Sequence, residues 1–343
     1  MAHIPADNYR RRALRIAAAL LAVLLAGWQP AAAQTTEFKA GIADPVNTVL
    51  AWWAAQAGGF YAAQGLKVDI VNMEGGSRGA AALAAGRLDV MHVGLSSVIR
   101  LNRAGSAAGG GGNLRLVGSL SNVIRFTFFS ADGVKTAADL KGGTIAVSTF
   151  GSESDTTVTL ALQRLGLTRG DVTLKEYGGG PRRLAALKAG EIKATTLNEP
   201  YASLAREQGV NVMVDLAAEQ IPWVFSGVTV NAAAIAGRRD ALKRFLRATI
   251  EGNYLALTDA KLAKDVLAKE LKLTDPKIID ISYDDFKQQS PLDLAPSRPG
   301  ADNILKQFPG GSSRIEDYID TSLLDEIKAE GFITTLQQKY NKR

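Results

Sequence analysis

The residues best suited to chemistry in this sequence lie in short turns rich in glycine, serine, threonine and asparagine. Each turn follows a β-like run and precedes a helical one, at 44–48, 75–78, 94–97, 148–155, 178–182 and 198–201. Such turns expose backbone N–H groups at the positive end of a helix. Several of them aimed at one cleft would bind an anion without a metal, although any single turn is also an ordinary helix cap.

Charged and aromatic side chains near these turns add possible contacts. Arg78 fits a bidentate donor to a carboxylate or sulfonate, and equally a solvent-facing arginine at a helix start. Arg182 has the same two interpretations. Glu199 either accepts a ligand N–H or O–H or caps the next helix. A flat apolar wall would come from Trp52, Trp53, Trp223 and Phe225, although one ring of the tryptophan pair is expected in the core.

Signals of catalysis are scarce. After residue 33 there is one histidine, His92, within a strand pattern that is typical of a core position. The sequence GLSSV lacks the second glycine of a nucleophile elbow, and neither GGSRG nor GGGPRR completes a phosphate-binding loop. The chain has no cysteine and no metal-ligand spacing. We therefore predict a binding protein rather than an enzyme, with no cofactor and no metal.

The elements that position these turns alternate between strand and helix, which predicts an α/β fold with a largely parallel sheet. A shift of 104 residues places Gly75 on Gly179, Arg78 on Arg182 and Gly86 on Gly190. Coincidence in a chain rich in alanine and glycine is one explanation. The other, which we prefer because the order of elements also agrees, is two βαβ lobes. After Asn231 the pattern becomes helical and amphipathic.

The first 33 residues are typical of a signal peptide cleaved near Ala33. They combine a basic start at Arg10, Arg11, Arg12 and Arg15 with a short apolar run over 13–27 and small residues before Gln34. The full chain carries a net charge of +6, half of which lies in this segment. No basic stripe with interleaved aromatic residues remains, so nucleic acid is excluded as a partner. We predict an exported, periplasmic protein.

Four segments resemble one family: NTVLAWWAAQAGGFYAAQGLKVDIV, GGSRGAAALAAGRLDVMHVG, DLKGGTIAVSTFGSESDTTVTLALQRLGL and LAALKAGEIKATTLNEPYA. This family comprises the periplasmic solute-binding proteins of ABC importers of the nitrate, sulfonate and taurine type, together with binders of thiamine pyrimidine precursors. The resemblance implies a type II periplasmic-binding-protein fold. Its two lobes close on the ligand, and two hinge crossovers, near 121–125 and 226–231, join them.

The resemblance also implies boundaries and site residues. Lobe 1 would comprise 36–121 and 231–343, including the C-terminal helices, and lobe 2 would comprise 126–226. The implied ligand-binding residues are Asn47, Trp52, Ser77, Arg78, Ser96, Ser97, Asn122, Ser148, Gly151, Ser152 and Glu199, with Asn122 at the hinge. The family's fungal pyrimidine synthases use cysteine and histidine chemistry, and this chain departs from them because it has no cysteine.

The function implied is that of a monomeric solute-binding component, which delivers its ligand to the permease and ATPase of an ABC importer. We expect a small organic anion, such as an alkyl or aryl sulfonate or an aromatic carboxylate. The alternative ligand is a thiamine pyrimidine precursor or a similar heterocycle. An exported enzyme acting on a small molecule is the alternative of a different class.

Overall fold

A computed structural model describes residues 35–107 and 113–341. The predicted signal peptide at 1–33 and its cleavage site near Ala33 lie outside the described residues. No helix within the described ranges is long and apolar enough to span a bilayer.

The strands within the described ranges form two five-stranded sheets. They are β1 (Thr36–Ile42), β2 (Leu66–Asn72), β3 (Val90–Val93), β4 (Leu114–Val123), β5 (Thr127–Ser130), β6 (Thr144–Val147), β7 (Thr173–Glu176), β8 (Ala194–Leu197), β9 (Asn211–Asp215) and β10 (Pro222–Asn231). The first sheet has the order β2-β1-β3-β10-β4, and the second has the order β7-β6-β8-β5-β9. In each sheet the parallel pairs come from βαβ units, and one strand runs antiparallel to both of its neighbours: β10 in the first sheet and β5 in the second.

The described helices flank both sheets and continue to the C-terminus. They are α1 (Leu50–Ala57), α2 (Phe60–Ala63), α3 (Gly76–Ala84), α4 (Leu95–Ala107), α5 (Ala137–Leu140), α6 (Glu153–Arg164), α7 (Gly180–Lys188), α8 (Tyr201–Glu207), α9 (Ala232–Gly237), α10 (Arg239–Thr258), α11 (Ala260–Leu271), α12 (Pro276–Gln289), α13 (Arg298–Lys306), α14 (Ser322–Ala329) and α15 (Phe332–Lys339). The predicted α/β class with a helical C-terminal part is confirmed.

The internal repeat is visible in the order of elements. Both α3 and α7 begin at the last glycine of their turns, Gly76 and Gly180, and β3 and β8 begin at Val90 and Ala194. Both pairs of starting residues are 104 positions apart, the shift found in the sequence. Each lobe therefore presents a glycine turn followed by a helix at the carboxyl end of a parallel strand.

The chain crosses between the sheets twice. It leaves the first sheet after Val123, joins the second at Thr127, leaves that sheet after Asp215 and returns at Pro222. The prediction of the second crossover at 226–231 is wrong, because those residues lie inside β10, where Val228 pairs with His92 and with Gly118. The local sequence of residues 226–231 indicates a strand, but it does not indicate which of the two sheets that strand joins. The division into two lobes with the predicted boundaries stays a proposal.

The C-terminal helices pack on the first lobe. The longest, α10, lies against α1, and Gly252 allows the close approach because a Cβ there would lie 2.4 Å from the carbonyl oxygen of Ala51. The ring of Phe245 on α10 stacks on Phe38 at 4.8 Å and meets Trp52 edge-on at 5.3 Å between centroids. These contacts make the helical part an extension of the first lobe's core.

Candidate functional site

The predicted binding turns of the two lobes meet at a small cavity of about 70 Å³. Residues from both sheets and from the crossovers line it, namely Ala43, Asp44, Val46, Thr48, Gly76, His92, Val93, Gly94, Phe126, Ser148, Ser152, Glu153, Ser154, Arg183, Asn198, Phe225 and Ser226. Ligand pockets usually have volumes of about 300–1,000 Å³. The cavity is smaller than such pockets, and hydrogen bonds join the two lobes beside it, so the structure is a closed form.

Three serine hydroxyls of the second lobe form one wall. Ser148 follows β6, and its Oγ lies 3.0 Å from Oγ of Ser152 and 2.9 Å from Oγ of Ser154. Ser152 is the N-cap of α6, where its hydroxyl accepts a bond from the backbone N–H of Asp155. The three hydroxyls satisfy one another in the closed form, and their oxygens are available as rotatable donors or acceptors to a ligand.

Glu153 of the second lobe reaches into the first lobe. One carboxylate oxygen accepts from the backbone N of Ser96 at 2.8 Å, and the other accepts from Ser96 Oγ and Trp223 Nε1, both at 3.0 Å. Burial raises the pKa of Glu153 to about 7, while the hydrogen bonds from Trp223 and Ser96 and the charge of Arg100 act in the opposite direction. This carboxyl group therefore changes its charge close to neutral pH.

Asp44 makes the reciprocal connection, from the first lobe to the second. Its Oδ2 accepts a hydrogen bond from the backbone N of Gly180, the first residue of α7, at 2.5 Å. Burial raises the pKa of Asp44, and the nearby Arg183 guanidinium opposes that shift. The contact joins the turn after β1 to the turn after β7.

Arg183 places a buried cation in the cavity wall. Its side chain is almost fully buried on α7, and it donates to the carbonyl oxygens of Gly178 and Thr196. Burial lowers the pKa of Arg183 to about 10, and the charge of Asp44 raises it. The guanidinium therefore stays charged at neutral pH, with Asp44 as its counter-charge.

His92 and two phenyl rings complete the lining. His92 is buried, its Nε2 lies 3.3 Å from Thr48 Oγ1, and burial lowers its pKa to about 4. The ring is therefore neutral at physiological pH and a weak base. Phe126 and Phe225 meet edge to face with centroids 5.1 Å apart, and both line the cavity. They give an aromatic boundary to an otherwise polar space.

Several of the predicted site residues are brought to this region. Ser148 and Ser152 line the cavity, and Ser96 binds the cavity-lining Glu153. Ser77 and Ser97 lie across the interface from Thr149 and Gly151. The Ser77 backbone N donates to Thr149 Oγ1 at 3.3 Å, and Ser97 Oγ donates to the carbonyl oxygen of Gly151 at 3.4 Å.

The other predicted residues lie outside the cavity lining. Trp52 is in the core of the first lobe, where its ring meets His92 edge-on at 5.6 Å. Arg78 has half of its side chain exposed and pairs with Glu74 at 3.9 Å, so it is a surface arginine in this closed form. Glu199 accepts from the backbone N of Ser203 at 3.2 Å, which is a helix-capping contact.

Two predicted asparagines have structural contacts instead. Asn47 donates to the carbonyl oxygen of Ser282 at 2.9 Å and to Asp285 at 2.8 Å, and so ties the first turn to α12. Asn122, at the end of β4, donates to the carbonyl oxygen of Ala295 at 2.9 Å. Its oxygen accepts from the backbone N of Ser297 at 2.9 Å. It anchors the irregular segment before α13 to the crossover.

The sequence reasoning missed the charged groups of the cavity. Asp44 and Glu153 both lie inside predicted turns, at 44–48 and 148–155, but neither was among the predicted site residues. Of the PRR arginines, Arg182 is exposed, whereas Arg183 is buried on the same face as Leu187. The spacing of four residues between Arg183 and Leu187 was the available signal, since positions i and i+4 share a helix face.

A second and larger cavity, of about 820 Å³, lies on the outside of the first lobe. This groove is formed by α1, β2 and α11. Apolar residues line it together with four carboxylates and two lysines: Asp69, Asp259, Asp265, Glu270, Lys261 and Lys269. Within the described ranges, no cluster of three or more histidine, aspartate or glutamate side chains suits a metal ion.

The family model described as NMT1/THI5 like matches residues 47–262, more than half of the chain. The chain belongs to this family. A curated relative, the riboflavin-binding protein RibY of Chloroflexus aurantiacus, is 29% identical over 209 residues. That match covers 59% of this chain and 56% of RibY, so the chain spans little more than half the length of this relative.

Solved structures of two periplasmic binding proteins share the fold. The nitrate-binding protein NrtA of Synechocystis PCC 6803 superposes with a TM-score of 0.68 at 14% identity, covering 86% of this chain and 89% of NrtA. The aliphatic sulphonate binding protein SsuA of Escherichia coli gives a TM-score of 0.60 at 20% identity, covering 86% of this chain and 87% of SsuA. The comparisons confirm the family and fold that the sequence motifs indicated.

Proposed function

We propose that this protein is the solute-binding component of an ABC importer and that it works outside the cytoplasm as a monomer. The observation that supports this most strongly is the closed cavity between the two lobes, lined from both sides by buried polar groups. Family membership supports the same function, as do the binding activities named for RibY, NrtA and SsuA.

The mechanism that fits this geometry is capture by lobe closure. A ligand enters when the lobes separate, contacts both of them only when they close, and so shifts the population toward the closed form. The permease and ATPase complex then recognises the closed surface and receives the solute. No covalent step is needed.

Catalysis has little support in the cavity. Its serine hydroxyls bond to one another, and the His92 side chain is hydrogen-bonded to Thr48. The low pKa of His92 also makes it a poor general base at neutral pH. These features favour binding over the alternative of an exported enzyme.

For the ligand we propose a small planar nitrogen heterocycle that carries N–H groups. Asp44 and Glu153 give the cavity two carboxyl groups that accept hydrogen bonds, and Phe126 and Phe225 offer rings against which a flat molecule packs. The arginine of the cavity lining, Arg183, already has Asp44 as its counter-charge. This set favours the heterocycle, which is the alternative ligand predicted from the sequence.

The small organic anion predicted first remains the second candidate. Arg183 supplies a positive charge in the cavity, and the N-termini of α4, α6 and α7 face the same region. However, an anion would meet two carboxyl groups there. Arg78, which motivated the prediction, lies at the surface in the closed form.

A titration of the purified protein distinguishes these candidates. The compounds are an aminopyrimidine, riboflavin, benzoate, benzenesulfonate and nitrate, and the readouts are calorimetry and Tm. We expect one-to-one binding of a heterocycle, with the compound recovered unchanged after hours. Phe225→Ala should weaken binding about tenfold or more, because it removes a buried ring, whereas Phe150→Ala changes an exposed ring and should have little effect. Binding of no compound, or turnover of a bound one, would contradict the proposal.

A further inference from the structure

Each lobe inserts one carboxylate into the N-terminus of a helix in the other lobe. Asp44 of the first lobe accepts from the backbone N of Gly180, at the start of α7. Glu153 of the second lobe accepts from the backbone N and the hydroxyl of Ser96, in the first turn of α4. The two contacts are reciprocal, and both lie in the wall of the interlobe cavity.

Glycines make room for both carboxylates. A Cβ at Gly179, the N-cap of α7, would lie 2.5 Å from Oδ1 of Asp44. A Cβ at Gly94, directly before α4, would lie 2.3 Å from Oε1 of Glu153 and 2.2 Å from the carbonyl oxygen of Phe225. Neither glycine has the positive φ that would itself demand glycine. Space for the opposing carboxylate is therefore a physical reason for glycine at both positions.

The positions that these carboxylates occupy are those at which helix N-termini bind anions. The amide N–H groups of the first turn and the helix dipole both favour a negative charge there. In the closed form the protein fills both places with its own acidic groups. Asp44 is also the counter-charge of Arg183, the buried cation of the same cavity.

From this arrangement we infer that Asp44 and Glu153 determine ligand specificity by excluding anions. When the lobes close with both carboxyl groups ionised, these groups occupy the anion positions of α7 and α4, so that only an uncharged ligand, or one that donates hydrogen bonds, binds without displacing a like charge. The inference rests on the proposed solute-binding function and specifies the ligand class that the cavity accepts.

The test compares the wild-type protein with Asp44→Asn, Glu153→Gln and the double variant. Each substitution removes a charge but keeps the size of the side chain and one carbonyl acceptor. The matched control is Glu74→Gln, which removes a half-exposed carboxylate that pairs with Arg182 at 3.5 Å. Benzenesulfonate, benzoate and an aminopyrimidine are titrated against each protein by calorimetry at about pH 8.5, where Glu153 is ionised, and Tm records that each variant is folded.

We expect the double variant to bind benzenesulfonate at least about tenfold more tightly than the wild type, because like charges a few ångströms apart repel strongly in a buried site. The control should change this affinity by less than about threefold, since its charge is screened. Equal anion affinity in the wild type and the double variant would overturn the inference. Tight anion binding by the wild type would also overturn it.

The outcomes separate this inference from the proposed function. If the wild type binds neither compound class and the double variant gains anion binding, the exclusion by Asp44 and Glu153 stands and the heterocycle is wrong. If the wild type binds the aminopyrimidine and no variant gains anion affinity, the solute-binding function stands and the exclusion is wrong. Should one single variant fail to fold, the other carries the same comparison, because the two carboxylates serve different helices.

Discussion

Closure of the lobes should strengthen as the pH falls through neutrality, because Glu153 is buried only when the lobes meet. Burial raises the pKa of Glu153 from 4.5 to about 7 in the closed form. Separation of the lobes exposes the carboxyl group and returns its pKa toward 4.5, so the closed form binds a proton more tightly. The closed form therefore gains stability as the pH falls through about 7, and that gain is complete below about 4.5.

The size of this effect follows from the two pKa values. The full linkage is about 3 kcal/mol, at 1.36 kcal/mol for each pH unit between the pKa values of the open and closed forms. Lowering the pH from about 8 to about 5.5 should raise the closed-to-open ratio roughly 25-fold, which is about 2 kcal/mol.

The charged groups around Glu153 leave the sign of the effect unchanged. The pKa of Asp44 is also raised by burial, so its contribution has the same sign. His92, with a pKa of about 4, stays neutral in this pH range. Arg183, with a pKa of about 10, stays charged, and the charge of Arg100 lowers the pKa of Glu153.

The assay measures the distance between the lobes without a ligand. The chain has no cysteine, so a pair introduced by Ala85→Cys after α3 and Ala189→Cys after α7, both exposed positions, takes two dyes for energy transfer. We expect the closed fraction to rise as the pH falls, and Glu153→Gln to remove most of this dependence. A closed fraction that stays constant, or that rises with pH, would refute the reasoning.

Three further predictions concern single contacts. Gly179→Ala should reduce the closed fraction at least about tenfold in the same assay, because its Cβ would meet Asp44 at 2.5 Å; an unchanged fraction would contradict this contact. Arg183→Gln should lower the free energy of unfolding by about 3 kcal/mol in urea, since it leaves Asp44 buried without its counter-charge; a loss below 1 kcal/mol would count against this pairing. Trp223→Phe should move the midpoint of the pH-dependent closure upward, because it removes a donor that lowers the pKa of Glu153, and a downward shift would be inconsistent with that bond.

The fold was predictable from local patterns. The glycine turns, the Ala-Leu helices and the shift of 104 residues are short-range features, and they correctly indicated α3, α7 and the strands around them. The sheet that β10 joins was not predictable from local patterns. Whether 226–231 belongs to the first or the second sheet depends on pairing with β3 and β4, which lie far away in the sequence.

The candidate site was predictable in its backbone and less so in its side chains. Turns at the carboxyl ends of parallel strands had to face the cleft, and Ser148 and Ser152 are there for that reason. The orientation of a side chain on a turn is set by its partners. Asn47 is held by Asp285, Asn122 by the backbone at Ala295 and Ser297, and Glu153 by Ser96 and Trp223. Those partners come from other parts of the chain, and no local pattern reveals them.

A crystal structure of the protein with a compound that binds it in solution would test the central claim most directly. We predict electron density for the compound between the lobes, in contact with Phe225, Glu153 and the turn at Asp44. A compound bound in the outer groove of α1, β2 and α11, with the interlobe cavity unchanged, would contradict the account.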